Sequence, residues 1–268
     1  MPSITTADGI RLDYDDAGTG RPVVLIAGFK AARSSWRYQV PALLDAGYRV
    51  ITADLRGHGT SDKPSGGTTM ARRGADVDEL LTQLDLRDVS LVGGSMGGNT
   101  VWPYLRDFGG SRLASAVIVD QTPKMLNSAD WPHGFYDYDD NNRDSYFATT
   151  IPDPKRFPIG KKGLVRIVRL FRAMDARADR TLSADDLGVL NDHAKADWRP
   201  VIAAATVPVL FVAGAESEFW PSAHAAASAE LNPLHSSVVI ARDGHPANIE
   251  QWREFNRIML EFIGRNGS

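Results

Sequence analysis

Asp88-Val89-Ser90-Leu91-Val92-Gly93-Gly94-Ser95-Met96-Gly97-Gly98 is the stretch on which the fold turns. Val89 to Val92 is a short apolar run, the pattern of a strand buried in a sheet. It passes without a spacer into Gly93-Gly94-Ser95-Met96-Gly97, a G-x-S-x-G pattern, and then into the helix-like segment Gly98 to Phe108. Strand, sharp turn and helix in that order form the setting in which a serine becomes an exposed nucleophile. Glycines two positions either side leave room for the crossing strand and helix, and the turn lifts the serine oxygen above the sheet. The helix that starts there points its N–H groups and the positive end of its dipole at a reacting carbonyl.

Working outward, Pro22 to Gly28, Tyr48 to Asp54, Leu113 to Asp120, Val207 to Gly214 and Ser236 to Ala241 repeat the buried-strand pattern. Helical stripes lie between them, over Ser34 to Ala46 (with Pro41 inside, so a kink or a break), Met70 to Leu86 and Ala247 to Gly264. The alternation predicts a doubly wound α/β domain with a mostly parallel sheet and helices on both faces. Ile4 to Asp16 reads as an antiparallel hairpin at one edge. Residues 122–206 break the rhythm: they are rich in proline and aromatics, show no convincing strand, and carry one clear amphipathic helix, Lys161 to Met174. A structureless loop of that length is improbable in a compact domain. The segment reads as a helical cap inserted into a core made of 1–121 and 207–268. The apolar face of Lys161 to Met174 is expected to roof a pocket and its basic face to meet water.

Composition narrows the function classes. The chain has 268 residues, 43% hydrophobic and 24% charged, which is ordinary for a globular protein. Thirty basic against 33 acidic residues leave a net charge of −3, no electrostatic footprint for nucleic acid. The absence of cysteine excludes disulfides, thiolate metal sites and a cysteine nucleophile. Asp137 to Asn142 has calcium-loop acids, but Asn142 fills the glycine position and Ala148 the place of the final Glu, so no EF-hand is expected. No phosphate loop, metal site or cofactor is expected. No apolar run reaches the ~18 residues of a membrane span. The first residues lack the basic and apolar blocks of a signal peptide, so a cytoplasmic protein without stable membrane association is the expectation.

Asp54-Leu55-Arg56-Gly57-His58-Gly59-Thr60-Ser61, Gly28-Phe29 and the Ser95 turn together resemble the α/β-hydrolase superfamily over about residues 8 to 265. The resemblance implies an eight-stranded, mostly parallel sheet and catalytic residues in the order serine, acid, histidine. It implies two backbone oxyanion donors, Phe29 and Met96. Many relatives carry His-Gly where this chain has Ala27-Gly28, which keeps the backbone donor but loses an imidazole. Lys30 can reach the cap or be solvated. Of six histidines, His245, in Asp243-Gly244-His245-Pro246 after the last strand, is where the family places its general base, and a neutral imidazole suits that task at physiological pH. The acid is ambiguous. The usual G-x-x-D frame reads Gly214-Ala215-Glu216-Ser217-Glu218, with serine in the aspartate slot. The family's second location, the end of the preceding strand, holds Asp120, in a D-Q-T-P-K-M-L stretch similar to that of certain serine lactone hydrolases. Asp120 is the preferred acid, with Glu216 and Glu218 as alternatives.

These residues point to a serine hydrolase that cleaves a carboxylic ester or lactone of a medium-sized, largely apolar molecule through an acyl-enzyme. Gly28, Lys30 and Trp220 are candidate substrate contacts. Carbon–carbon bond hydrolysis, cofactor-free perhydrolase or haloperoxidase chemistry on the same triad, and a catalytically silent small-molecule receptor are the alternatives.

Overall fold

The computed structural model describes residues 2–158, 160, 162–173 and 181–267. Eight strands form one sheet: β1 (Ser3–Thr5), β2 (Arg11–Ala17), β3 (Pro22–Ile26), β4 (Arg49–Ala53), β5 (Val89–Gly94), β6 (Leu113–Val119), β7 (Val209–Gly214) and β8 (Ser236–Ile240). Their order is β1-β2-β4-β3-β5-β6-β7-β8. β1 and β2 are antiparallel, and β3 to β8 run parallel. The chain winds from β3 out to β4, then returns to place β5 on the other side of β3. Carboxyl ends of strands that flank such a reversal leave a crevice where ligands bind in open α/β sheets. Ala27-Gly28-Phe29 and Ser95 lie at that crevice.

Period-2 alternation makes the layers. Val23 and Leu25 join Val92, Val117, Leu210 and Val212 on one face, under α1 (Gln39–Asp45) and α10 (Trp252–Arg265). Val24 and Ile26 join Leu91, Ile118, Val209 and Phe211 on the other, under α2 (Met70–Gln83). Both sets are buried, which is why these strands read as continuous apolar runs.

Three expected helices are each divided. The Ser34 to Ala46 stretch becomes a 3-10 turn, Arg33–Trp36, and α1, with Pro41 in the first turn of α1 where no N–H is needed. After Ser95 come α3 (Met96–Asn99) and α4 (Val101–Phe108). Pro103 cannot donate to the carbonyl of Asn99, so the first piece ends there. The terminal helix splits at Gln251 into α9 (Ala247–Glu250) and α10.

Between β6 and β7 the described residues hold α5 (Leu164–Ala173), α6 (Ala184–Lys195) and α7 (Arg199–Ala204) and no strand beyond two isolated bridges. The ends of the expected 161–174 helix lie outside the described residues. α6 starts at a capping box, Ser183 with Asp186. α8 (His224–Ala229) precedes β8. Among the described residues no helix is long and apolar enough to cross a membrane.

Candidate active site

Ser95 adopts φ 52°, ψ −131°, a region a side chain enters at a cost of about 1–3 kcal/mol. Its N–H donates to the Val119 carbonyl at 2.9 Å, which ties the turn to the end of β6. Close approach explains the flanking glycines. A Cβ at Gly97 would stand 2.5 Å from the Ile26 oxygen and 2.6 Å from the Ala27 oxygen, and one at Gly93 2.5 Å from Gly98 N. Gly97→Ala should therefore shift the end of β3 against the serine turn. We expect a loss of about 100-fold or more in turnover together with a lower melting temperature, read by steady-state kinetics and a thermal melt.

Gly28 abuts the serine: a Cβ there would be 3.0 Å from Ser95 Cβ and 3.6 Å from its Oγ. The N–H groups of Phe29, in the loop after β3, and Met96, the first residue of α3, donate to no protein acceptor among the described residues. Free backbone donors beside a serine can hold an oxyanion.

Asp120 follows β6 in a left-handed conformation, φ 43°, and is fully buried. Its Oδ1 accepts from Gly214 N–H at 2.9 Å, and its Oδ2 accepts from Ser217 Oγ at 2.6 Å and lies 2.8 Å from His245 Nδ1. Burial works to raise the carboxyl, but His224 and His245 beside it outweigh burial and hold it lowered to about 2. With Nδ1–H donating to the carboxylate, Nε2 is left as the basic nitrogen. The rings of Phe219 and Trp220 stand edge-on to His245, with centroids 4.6 and 5.1 Å away.

The two glutamates go elsewhere. Glu216 pairs with Arg166 at 2.6 Å, and Glu218 accepts from the backbone N–H of His245, not from its ring, at 2.8 Å. Lys30 reaches α6, with Nζ 2.9 Å from Asp186 Oδ2. Trp220 is buried among Phe135, Phe219 and His245. Sequence reasoning missed two groups at the acid. Ser217 stands in the usual aspartate slot and donates to Asp120. His224 Nε2 lies 3.6 Å from Asp120 Oδ1, outside hydrogen-bond range but within charge attraction. Only the spacing of Ser217 was a signal.

α5 corrects an expectation. Its apolar side faces out, with Leu164 76% and Phe171 68% exposed, while Lys162 and Arg166 are buried. Buried carboxylates need cations more than an apolar face needs cover. A cleft of about 560 Å³ opens beside Lys30, lined also by Ser34, Arg37, His58 and Thr60. Neither Ser95 nor His245 lines it. His58 is a buried histidine whose Nδ1 lies 2.9 Å from the Arg56 carbonyl, and burial, with Arg73 nearby, pushes it down to about 3. Among the described residues no group of three or more His, Cys, Asp or Glu side chains is placed to hold a metal ion.

An eight-stranded sheet reversing at β3 and β5, with a strained serine at the reversal, is the architecture of the α/β hydrolases. A model of the alpha/beta hydrolase fold family matches residues 21–251, and the chain belongs to that family. It is 32% identical, over 98% of its length and all of the relative's, to a Synechocystis protein provisionally named a non-heme chloroperoxidase. Among solved structures it is similar to a bromoperoxidase from Bacillus anthracis (30% identity, TM-score 0.78, covering 98% of this chain and 100% of that one). It is also similar to an esterase from Thermogutta terrifontis (25% identity, TM-score 0.79, covering 100% and 99%).

Proposed function

We propose that this protein is a serine hydrolase acting on carboxylic esters or lactones. The observation that carries the reading is the 2.8 Å pair of His245 Nδ1 and Asp120 Oδ2 at the sheet edge where the strained Ser95 turn ends. His245 Nε2 takes the Ser95 proton as Oγ bonds to the substrate carbonyl carbon. Asp120 stabilises the imidazolium, and the N–H groups of Phe29 and Met96 hold the oxyanion. The proton passes from His245 to the leaving alkoxide as the C–O bond breaks. Water, deprotonated by His245, then releases the acid from the acyl-serine. For a lactone the alcohol and acid stay on one molecule.

The half-buried ring of Phe219 beside His245 supports a largely apolar substrate, and the size of the insertion a medium-sized one. Residues 122–206 act as a helical cap over a core of 1–121 and 207–268, and the Lys30–Asp186 pair ties the cap to the oxyanion loop. The haloperoxidase names of relatives favour one second reading. Hydrogen peroxide takes the place of water: its oxygen bonds to the acyl carbon, the acyl–Oγ bond of Ser95 breaks, the proton passes through His245 to Ser95, and the acyl group leaves as a peracid without a cofactor.

A fluorophosphonate should label wild type with one phosphonyl group, located at Ser95 by peptide mass spectrometry. Ester and lactone panels, with and without hydrogen peroxide, then separate hydrolysis from peracid formation. A folded wild type that takes no label is a receptor, and the proposal is wrong.

A further inference from the structure

The loop that carries His245 is held from outside the triad. Glu250, fully buried at the end of α9, accepts from Gly244 N–H through Oε2 at 3.0 Å. Glu218 accepts from His245 N–H at 2.8 Å. Each of these carboxylates is held in turn by a cation from the segment between β6 and β7. Lys162 Nζ pairs with both Glu218 and Glu250. Arg166 Nε donates to Glu250 Oε2 at 2.7 Å while its Nη1 donates to Glu216. Arg169 donates to the Glu250 backbone carbonyl. The fit is tight: a Cβ on Gly244 would fall on Lys162 Nζ and stand 2.9 Å from Glu218 Oε2.

Charges balance in this cluster. Glu216, Glu218 and Glu250 meet Lys162, Arg166 and Arg169. Asp243 is buried with neither oxygen hydrogen-bonded, and its burial, with Glu250 and Asp120, pushes its carboxyl up to about 9 against the pull of Arg166 and Lys162. Around His245 stand Asp120 at the end of β6, His224 of α8 against it, Glu218 after β7, Asp243 and Glu250 on its own loop and α9, and Lys162 and Arg166 from the insertion. Glu218 and Glu250 bring two carboxylate charges to the backbone of this loop.

We propose that Lys162 and Arg166 are positioning residues for His245: by holding Glu218 and Glu250 they fix the Gly244–His245 backbone and cancel the negative charge those carboxylates bring to the loop. The insertion thereby sets both the placement of the base and the pH at which it works. The same contacts explain why α5 turns its basic side inward. This inference rests on the serine-hydrolase reading.

Steady-state kinetics and the rate of fluorophosphonate labelling, each followed against pH, test it on wild type, Lys162→Met, Lys162→Arg and Glu218→Gln. Lys162→Met should lower kcat about 10-fold with KM within about 2-fold, because the substrate is bound as before but the base is misplaced. Its acidic limb should move up by about half a pH unit or more, since two carboxylates lose their counter-ion. Glu218→Gln should move the limb down, because it removes a negative charge. Lys162→Arg should restore the wild-type limb. Opposite signs are a signature that simple loss of stability does not give. Limbs unchanged within about 0.1 pH unit, or shifted in the same direction by both substitutions, overturn the proposal. Should Lys162→Met fail to fold in a thermal melt, Glu218→Gln decides by its sign alone. Wild type that takes no label at all fails the underlying reading, whereas labelled wild type with unshifted variants fails the positioning role alone.

Discussion

Asp120→Asn is expected to lower kcat/KM for an activated ester by about 10³–10⁴-fold while the protein remains folded and the serine turn intact. The amide is nearly isosteric with the carboxylate, and its oxygen can still accept from Gly214 N–H, now 2.9 Å from Oδ1. What changes is the group facing His245 Nδ1. A carboxylate accepts a hydrogen bond from Nδ1–H, stays ionised, and leaves Nε2 free to take a proton from serine. An amide NH₂ in that place demands an acceptor, turns the imidazole to the other tautomer, and removes the charge that stabilises imidazolium. The carboxylate is well suited to stay ionised, since it is lowered to about 2 despite complete burial. The loss should fall mainly on kcat, because Asp120 lies behind the histidine and has no exposed surface for substrate. Glu216→Gln in the same assay is the counter-experiment. If Glu216→Gln collapses turnover and Asp120→Asn does not, the acid of the triad has been assigned to the wrong carboxylate.

How much of this was legible beforehand follows from what kind of interaction each feature depends on. Local sterics were legible. The Gly93 to Gly97 spacing exists because strand and helix cross within van der Waals distance, and that demand is written in adjacent positions. Asp120 was half legible: its place after an apolar strand at the carboxyl edge could be read, but Glu216 and Glu218 stayed open beside it, and only the family resemblance preferred it. The two-faced burial of β3, β5, β6 and β7 could be read from runs without polar alternation. Helix breaks were half legible: Pro103 and Pro41 mark theirs, whereas nothing in Glu250-Gln251-Trp252 interrupts the apolar stripe of the last helix. The break at Gln251 ends the short turn that delivers Glu250 to Gly244, 6 residues upstream, and only the fold supplies that reason. The orientation of α5 was not legible at all. A helical moment defines a polar face without saying which way it points, and here the decision was made by carboxylates 84 residues away, in the case of Arg166 and Glu250. His224 was hidden for the same reason, its meaning lying in its distance to Asp120. α6 was not read at all: Asp185, Asp186 and His193 are buried there and blur the stripe that would have announced a helix.

Asp243→Asn should remove a large pH dependence from the stability of the fold. Asp243 has no exposed surface and no hydrogen bond to either carboxyl oxygen. Burial, reinforced by the charges of Glu250 and Asp120, raises it to about 9. The unfolded chain ionises the same group at the ordinary carboxylate value of 3.8. The sign follows: below that value both states bind the proton and the group adds no pH dependence. Between it and about 9 the unfolded state releases a proton that the folded state keeps, so stability declines as pH rises. The slope for one proton is about 1.4 kcal/mol per pH unit. Over the range from pH 5 to 8 this single carboxyl should therefore cost the folded state about 4 kcal/mol. Asparagine has nearly the same volume and no charge to lose, so the difference between variant and wild type, measured by urea unfolding, should widen steadily across that range. A fixed difference would mean only that one buried polar group had been exchanged for another. A widening one would establish that this protein holds an uncharged carboxylic acid near Asp120, and that the neighbourhood of its histidine accommodates a buried carboxylate charge where it has partners, as at Asp120 and Glu250, but not at Asp243, where it has none.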